Sequence, residues 1–312
     1  MTGRGNEPRP PAGRQHEIRQ GDQVAVVCEV GATLRRYSAN GADVLDGFAE
    51  DERSSAGRGQ VLAPWPNRLD GGRYTFEGRE GRAALDEPEH GNAIHGLVRW
   101  LPWRVTAQDE GSVRLGCVVH PQPAYPWRLE IEVEYRLDGQ GLSVTTQATN
   151  GSDTASPFGI GFHPYLTVGE PAVDTATLAV PARRRLVTDD RGLPTGEEKV
   201  AGTEFDFTAA RPIGDTRLDT AFTDLIADSE GPARAEIRAA SGRGVDVWTG
   251  PGFGYLMVYT GDTLEPEARR RRGVAIEPMT CPPNALRSGT DLIRLEPGGS
   301  WTGAWGITPV ST

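Results

Sequence analysis

Three short stretches of the chain gather polar and aromatic side chains among glycines and prolines. The first runs Ala63-Pro64-Trp65-Pro66-Asn67-Arg68-Leu69, continues through Gly71-Gly72-Arg73-Tyr74 and resumes at Asn92-Ala93-Ile94-His95-Gly96. The second is Gly159-Ile160-Gly161-Phe162-His163-Pro164-Tyr165-Leu166, and the third joins Tyr259-Thr260-Gly261 to the run from Ala275 to Asn284. Two of the five histidines, His95 and His163, fall in these stretches, and Glu277 adds a carboxylate. A histidine able to donate a proton and a carboxylate able to take one are the parts of an acid/base site. A histidine beside β-rich sequence also serves as an ordinary structural residue, and that reading stands next to the catalytic one.

Other chemistries lack their signatures. His95, His163 and Glu277 have no His-x-His, His-x₃-His or Glu-x-x-His spacing, so a metal triad is not expected. There is no Gly-x-Ser-x-Gly elbow for a nucleophilic serine, and no phosphate loop or dinucleotide fingerprint. Lys199 is the only lysine among 33 basic residues. It lies in the polar run Gly196-Glu197-Glu198-Lys199, a poor setting for Schiff-base chemistry, which needs a desolvated amine. Cys28, Cys117 and Cys281 are odd in number and far apart, which fits neither a disulfide framework nor a zinc site. With 43 acidic residues and a net charge of −10, the chain is not expected to bind nucleic acid.

The elements that must position these groups read as strands. Leu129-Glu130-Ile131-Glu132-Val133-Glu134-Tyr135-Arg136 alternates apolar and charged residues, predicting an antiparallel strand with one wet face. Asp138-Gly139-Gln140-Gly141 then turns the chain into a second β-rich run, Leu142 to Ala148. Asn40-Gly41 predicts another tight hairpin. Further strands are expected at 24–30, 33–37, 113–119, 177–180, 235–239, 245–249, 255–260, 274–277 and 291–295. No window of 12 residues carries a 3.6-residue apolar stripe, and no fixed-period repeat occurs. The expected class is therefore all-β, a sandwich or barrel of many short strands.

Residues 1–16, rich in Pro, Arg and Gly, are expected to form a disordered tail, because they cannot bury enough apolar surface to order themselves. Residues 17–312 are expected to form a single domain. No run approaches a membrane span, and the first 23 residues lack the apolar centre of a secretory signal, so a cytoplasmic protein without membrane partners is expected.

Trp65, Trp100 and Trp103 near the first stretch suit a sugar, whose C–H faces stack on aromatic rings; core packing is the alternative use. The ordered set Asn67-Arg68, His95-Gly96, His163-Pro164-Tyr165, Leu218-Asp219 and Glu277-Pro278 resembles the aldose 1-epimerases, the mutarotases of the galactose mutarotase-like superfamily. The resemblance spans roughly residues 24 to 308. The longer strings 63–68, 92–100 and 277–284 resemble a bacterial subgroup that includes the mutarotase encoded with sulfosugar-degradation enzymes.

The resemblance implies a large antiparallel β-sandwich with few helices. It also implies that His163 is the general acid at the ring oxygen and Glu277 the general base at the C1 hydroxyl. The reaction would interconvert the anomers of a free aldohexose with no cofactor and no metal. Near neutral pH this asks for a protonated His163 and an ionised Glu277. By resemblance His95 bonds the ring oxygen or an adjacent hydroxyl, Arg68 and Asp219 hold pyranose hydroxyls, and Asn67 is a supporting or hydroxyl contact. The plainer readings are a surface ion pair for Arg68, a turn cap for Asp219 and an Asx-turn for Asn67. The expected partner is a small-molecule sugar, bound by a monomer or homodimer.

The run Arg269-Arg270-Arg271-Arg272 reads as a solvated loop, or else as a site for an anionic substituent. Cys281 reads as a buried small residue. The rival activities are a hexose-6-phosphate 1-epimerase and a non-catalytic carbohydrate-binding protein on the same fold. A glycoside hydrolase ranks last, because it would normally need two flanking carboxyl groups.

Overall fold

The computed structural model describes residues 10–227 and 231–311, and two large antiparallel sheets dominate it. In the strand Leu129–Asp138 the alternation acts as its pattern predicts. Leu129, Ile131, Val133, Tyr135 and Leu137 turn inward, and the residues between them turn out, because successive side chains leave a strand on opposite faces. Its hairpin with Gly141–Asn150 closes across Gly139-Gln140. Both strands belong to a nine-stranded back sheet. Its order is Arg104–Gln108, Ser112–Val119, Leu129–Asp138, Gly141–Asn150, Ser300–Val310, Gly244–Thr249, Ala233–Arg238, Thr177–Ala179, Arg211–Pro212.

The middle strand of that sheet, Ser300–Val310, is missing from the expected set; its Gly303, Gly306 and Pro309 interrupt the pattern of a strand. Here glycine makes room instead. The Trp248 indole lies against Gly306, where any Cβ would overlap the ring, while Trp305 and Ile307 supply the buried side chains.

The second sheet runs Pro194–Lys199, Ala182–Thr188, Asp219–Leu225, Tyr255–Tyr259, Val274–Met279, Gly161–Phe162, Val61–Leu62, and Tyr165–Leu166 also pairs with Val274–Met279. One face of this sheet packs on the back sheet. Phe222, Leu256, Val258, Ile276 and Phe162 join the main core, and Phe162 meets Trp305 with ring centroids 5.0 Å apart. Burying each such side chain contributes about 1.5–3 kcal/mol. The result is the expected all-β sandwich. Its helical content among the described residues is one four-residue α-helix, Ala285–Ser288, and two single 3₁₀ turns.

Two expectations about ends and loops change. Of the segment expected to lack order, residues 1–9 lie outside the described residues, but Gln15 and His16 already belong to the strand Gln15–Gln20. That strand pairs with Gln23–Cys28, the Arg14 N–H donates to Glu29 Oε2 at 2.9 Å, and Ala12 packs with Cys28 and Phe48. Composition misses this because the ordering partners are distant in sequence. Lys199 ends an exposed strand paired to Arg184 rather than lying in a loop. No helix among the described residues is long and apolar enough to cross a membrane.

Candidate active site

Strand register brings His163 and Glu277 together. Gly161 pairs with Met279, and Tyr165 pairs with Ala275. His163 and Glu277 each lie midway between these rungs, so they face one another where Pro164, which has no N–H, interrupts the ladder. Across the sheet Glu277 pairs with Met257, Ala275 with Tyr259, and Tyr259 with Asp219. Alternate residues share a face, so Asp219, Tyr259, Glu277, His163 and Tyr165 all point away from the core that Phe162, Ile276 and Val258 enter. His163 Nε2 lies 3.4 Å from Glu277 Oε1, and both side chains are buried.

An arch of loop stands beside this pair. Arg68–Asp70 pairs with Asn92–Ile94, and one rung further Asn67 and His95 bind each other. The His95 N–H donates to the Asn67 carbonyl at 2.9 Å, and the Asn67 N–H donates to His95 Nδ1 at 3.2 Å. Both residues adopt left-handed φ, 56° and 64°. Because Nδ1 accepts, the neutral ring carries its proton on Nε2, a tautomer assigned from the hydrogen bond. Burial, helped by the charges of His163, Arg99 and Arg68, holds His95 well below the usual histidine range. His95 is thus a fixed neutral donor, its ring edge-on to His163 with centroids 5.4 Å apart.

Arg68 is gripped from two sides. Its Nε donates to both Glu87 oxygens at 3.0 and 3.1 Å, and one terminal nitrogen lies 3.5 Å from Asp219. Burial opposes the guanidinium charge, but the carboxylates of Asp219 and Glu87 outweigh it and raise the Arg68 pKa. Glu87 in turn accepts from Asn92 Nδ2 at 3.0 Å. Asp219 is 51% exposed, which leaves it free to take a hydroxyl.

These groups line a cleft of about 390 Å³, a size suited to a small ligand. A larger depression of about 860 Å³ lies by Trp248, Phe253 and Tyr255. Its lining holds no histidine, so it offers no paired acid and base of this kind.

Burial acts against the expected ion pair. Burial is the largest cause on both groups. It lowers His163 to about 3, with the charges of Arg58 and then Arg99 acting the same way. It raises Glu277 well above the usual carboxylate range, with Asp219 adding and Arg68 opposing. Desolvation thus disfavours the charged form of both groups. His163 Nδ1 and Glu277 Oε2 are buried with no hydrogen-bond partner.

All six residues singled out from the sequence, His163, Glu277, Asn67, Arg68, His95 and Asp219, line the cleft. Asp219 opens a strand rather than capping a turn. The tryptophans do not join them: Trp65 and Trp103 are core residues, and Trp100 is 49% exposed near Arg53 and Arg99, outside the cleft lining. The arginine run turns elsewhere. Arg269 binds Glu52, Arg270 binds Glu265, Arg271 binds Asp174 and Asp262, and Arg272 lies by Asp46. Cys281 is buried, its thiol pushed up to about 12.

Glu87 and Gly57 do not stand out in the sequence. A signal for Glu87 exists, because a buried arginine needs a carboxylate and Asp86-Glu87 lies just ahead of Asn92. Gly57 has none. Its φ is +73°, and a Cβ there would overlap the His163 ring at Cδ2. Gly57→Ala is expected to displace that ring and to cost about 10²-fold in turnover, read by anomer exchange at equal protein concentration. Unchanged turnover would mean that the ring has room to move.

The aldose 1-epimerase family model matches residues 14–308. The chain belongs to the aldose 1-epimerase family. YihR, an uncharacterized protein of Escherichia coli strain K12, is 33% identical over 293 residues, 92% of this chain and 90% of that protein. The aldose 1-epimerase of the same organism is 28% identical over 219 residues, 65% of this chain and 60% of its own length. Among solved structures, the GalM/aldose epimerase homologue from C. elegans has a TM-score of 0.84 at 20% identity, covering 96% of this chain and 99% of that one. Galactose 1-epimerase from Lactobacillus acidophilus NCFM has a TM-score of 0.80 at 21% identity, covering 98% of each chain. These two likenesses establish the mutarotase-like fold.

Proposed function

We propose that this member of the aldose 1-epimerase family interconverts the α and β anomers of a free aldohexose, with residues 17–312 working as one domain. The observation that carries this reading is the buried His163–Glu277 contact of 3.4 Å, set in a cleft whose other polar groups suit hydroxyls. The two oxygens that exchange protons in ring opening sit on the same carbon. An acid and a base in direct contact can therefore serve both.

His163 in its protonated form gives a proton to the ring oxygen while ionised Glu277 takes the C1 hydroxyl proton. The bond from C1 to the ring oxygen breaks as the C1 carbonyl forms. Rotation about C1–C2 presents the other carbonyl face, and the two protons return. After opening, the proton of the pair rests on Glu277 and His163 is neutral, which is the arrangement that burial favours. The ring-closed sugar needs the other tautomer, and a hydroxyl donating to Glu277 Oε2 favours it by bonding the charged form. His95, Arg68 and Asp219 hold hydroxyls, and Asn67 holds His95. Asp86, Glu87, Glu89 and Glu265 also line the cleft, whereas its two arginines, Arg68 and Arg99, are already paired. That balance supports a free sugar over a phosphorylated one.

Exchange NMR of the anomeric protons tests this reading with glucose, galactose, glucose 6-phosphate and sulfoquinovose. Enzyme-dependent exchange on an unphosphorylated sugar is expected. Exchange confined to the phosphate would select the 6-phosphate epimerase, and line broadening without exchange would select a binding protein.

A further inference from the structure

We propose that Arg58 is a positioning residue for His163 and acts on it through Tyr165. This rests on the reading of His163 and Glu277 as the acid/base pair. The His163 ring stacks on Tyr165, centroids 5.0 Å apart and planes 14° from parallel, and the Arg58 guanidinium lies over the Tyr165 ring at 4.3 Å. A buried cation on an aromatic face is held by the ring quadrupole, and here the ring so held supports the imidazole.

Arg58 is fixed in its turn. Its Nε donates to the Asp46 carbonyl at 2.8 Å, a terminal nitrogen reaches Asp46 Oδ2 at 3.1 Å, and its own carbonyl accepts from Ser54 Oγ at 2.8 Å. The loop it pins closes round the histidine: the Gly59 N–H donates to the His163 carbonyl at 2.8 Å, the Tyr165 hydroxyl donates to the Ala56 carbonyl at 3.2 Å, and Gly57 lies against the ring. An isolated buried ion pair contributes little net stability, so placing one two layers behind the acid points to orientation. Arg58 and Asp46 are both buried, and the cleft lining includes neither.

The arrangement also bears on charge. Glu277 faces the imidazole, His95 lies at its edge, Arg99 acts on it across the cleft, and Arg58 stands behind Tyr165. Asp46 offsets part of the Arg58 charge, with Arg272 a further 3.7 Å from Asp46. Burial and Arg58 both disfavour the imidazolium. Replacing Arg58 and Asp46 together removes the cation without leaving a buried carboxylate uncompensated.

The test compares the wild-type protein with Arg58→Met/Asp46→Asn and Arg58→Lys. Anomer exchange is followed against pH, and the imidazole ¹⁵N shifts of His163 are followed in the same samples. In the double variant kcat is expected to fall about tenfold with KM nearly unchanged, as for a lost orientation rather than lost binding. Both limbs of the pH profile, and the onset of His163 protonation, are expected to move up, by less than the roughly one pH unit of an uncompensated charge two ring spacings away, because the Asp46 carboxylate leaves with the cation. Arg58→Lys is expected to restore the limbs but not all of kcat, since an ammonium lacks the flat face. A folded double variant whose limbs and ¹⁵N onset match the wild type would overturn the proposal, whatever its rate. If the wild-type protein itself failed to exchange anomers, the functional reading would fall, and the ¹⁵N onset would still decide the stack.

Discussion

His163→Asn is expected to lower the anomer exchange rate by about 10²–10⁴-fold, the usual worth of one positioned proton-transfer group, while the sandwich stays folded. Asparagine is smaller and polar, and it can neither take up nor release a proton in this range. The strand-pair register around it, Gly161 with Met279 and Tyr165 with Ala275, does not depend on the side chain. KM is expected to change little, because Arg68, Asp219 and His95 keep their places. Exchange NMR reads the rate, and thermal denaturation checks the fold. A variant within tenfold of the wild type would show that the ring oxygen draws its proton from elsewhere.

Glu277→Gln is expected to lose activity on the same scale and, unlike most active-site substitutions, to gain stability at neutral pH. The sign follows from burial. The Glu277 carboxyl is held well above its ordinary 4.5 in the folded protein, so above pH 4.5 the folded state keeps a proton that the unfolded chain releases. Folding stability therefore falls as pH rises from 4.5 towards the folded-state value, by about 1.4 kcal/mol for each pH unit. Glutamine is neutral in both states and escapes that loss. Its melting temperature is expected to exceed the wild type's by at least about 3 °C at pH 7, with the gap closing near pH 4. His163 works in the other direction, because its depressed pKa costs stability as pH falls below its ordinary 6.5 towards 3. A glutamine variant that melts below the wild type at both pH values would contradict this account of burial.

The sequence made the strands legible wherever one face was dry and the other wet, as in Leu129–Asp138. It hid Ser300–Val310, where Gly306 makes room for the Trp248 ring and Gly303 for Trp301 rather than marking turns, and it hid the ordering of Gln15 and His16. Asn67, Arg68, His95, His163 and Glu277 stood out because polar side chains set among glycines and prolines break the strand pattern, whereas Asp219 came only from the family resemblance. Their protonation was not legible, since burial is a property of the fold and works against the expected charges of His163 and Glu277. The tryptophans failed for a related reason: whether an indole meets solvent, sugar or core depends on which face of the sandwich it joins. Glu87 and Gly57 act through Arg68 and His163, and contacts of that kind are set by three-dimensional neighbours.

The division of labour between sheet and loops has a consequence for how such a protein changes. His163 and Glu277 stand on rungs of one sheet, where a one-residue slip would turn each side chain to the wrong face. Asn67 and His95 stand on an arch, and Thr263 to Glu265 form part of a rim, and segments of that kind accept replacement far more readily. Grafting a rim from another member of the family should therefore retune which aldose is preferred while the proton chemistry is inherited unchanged.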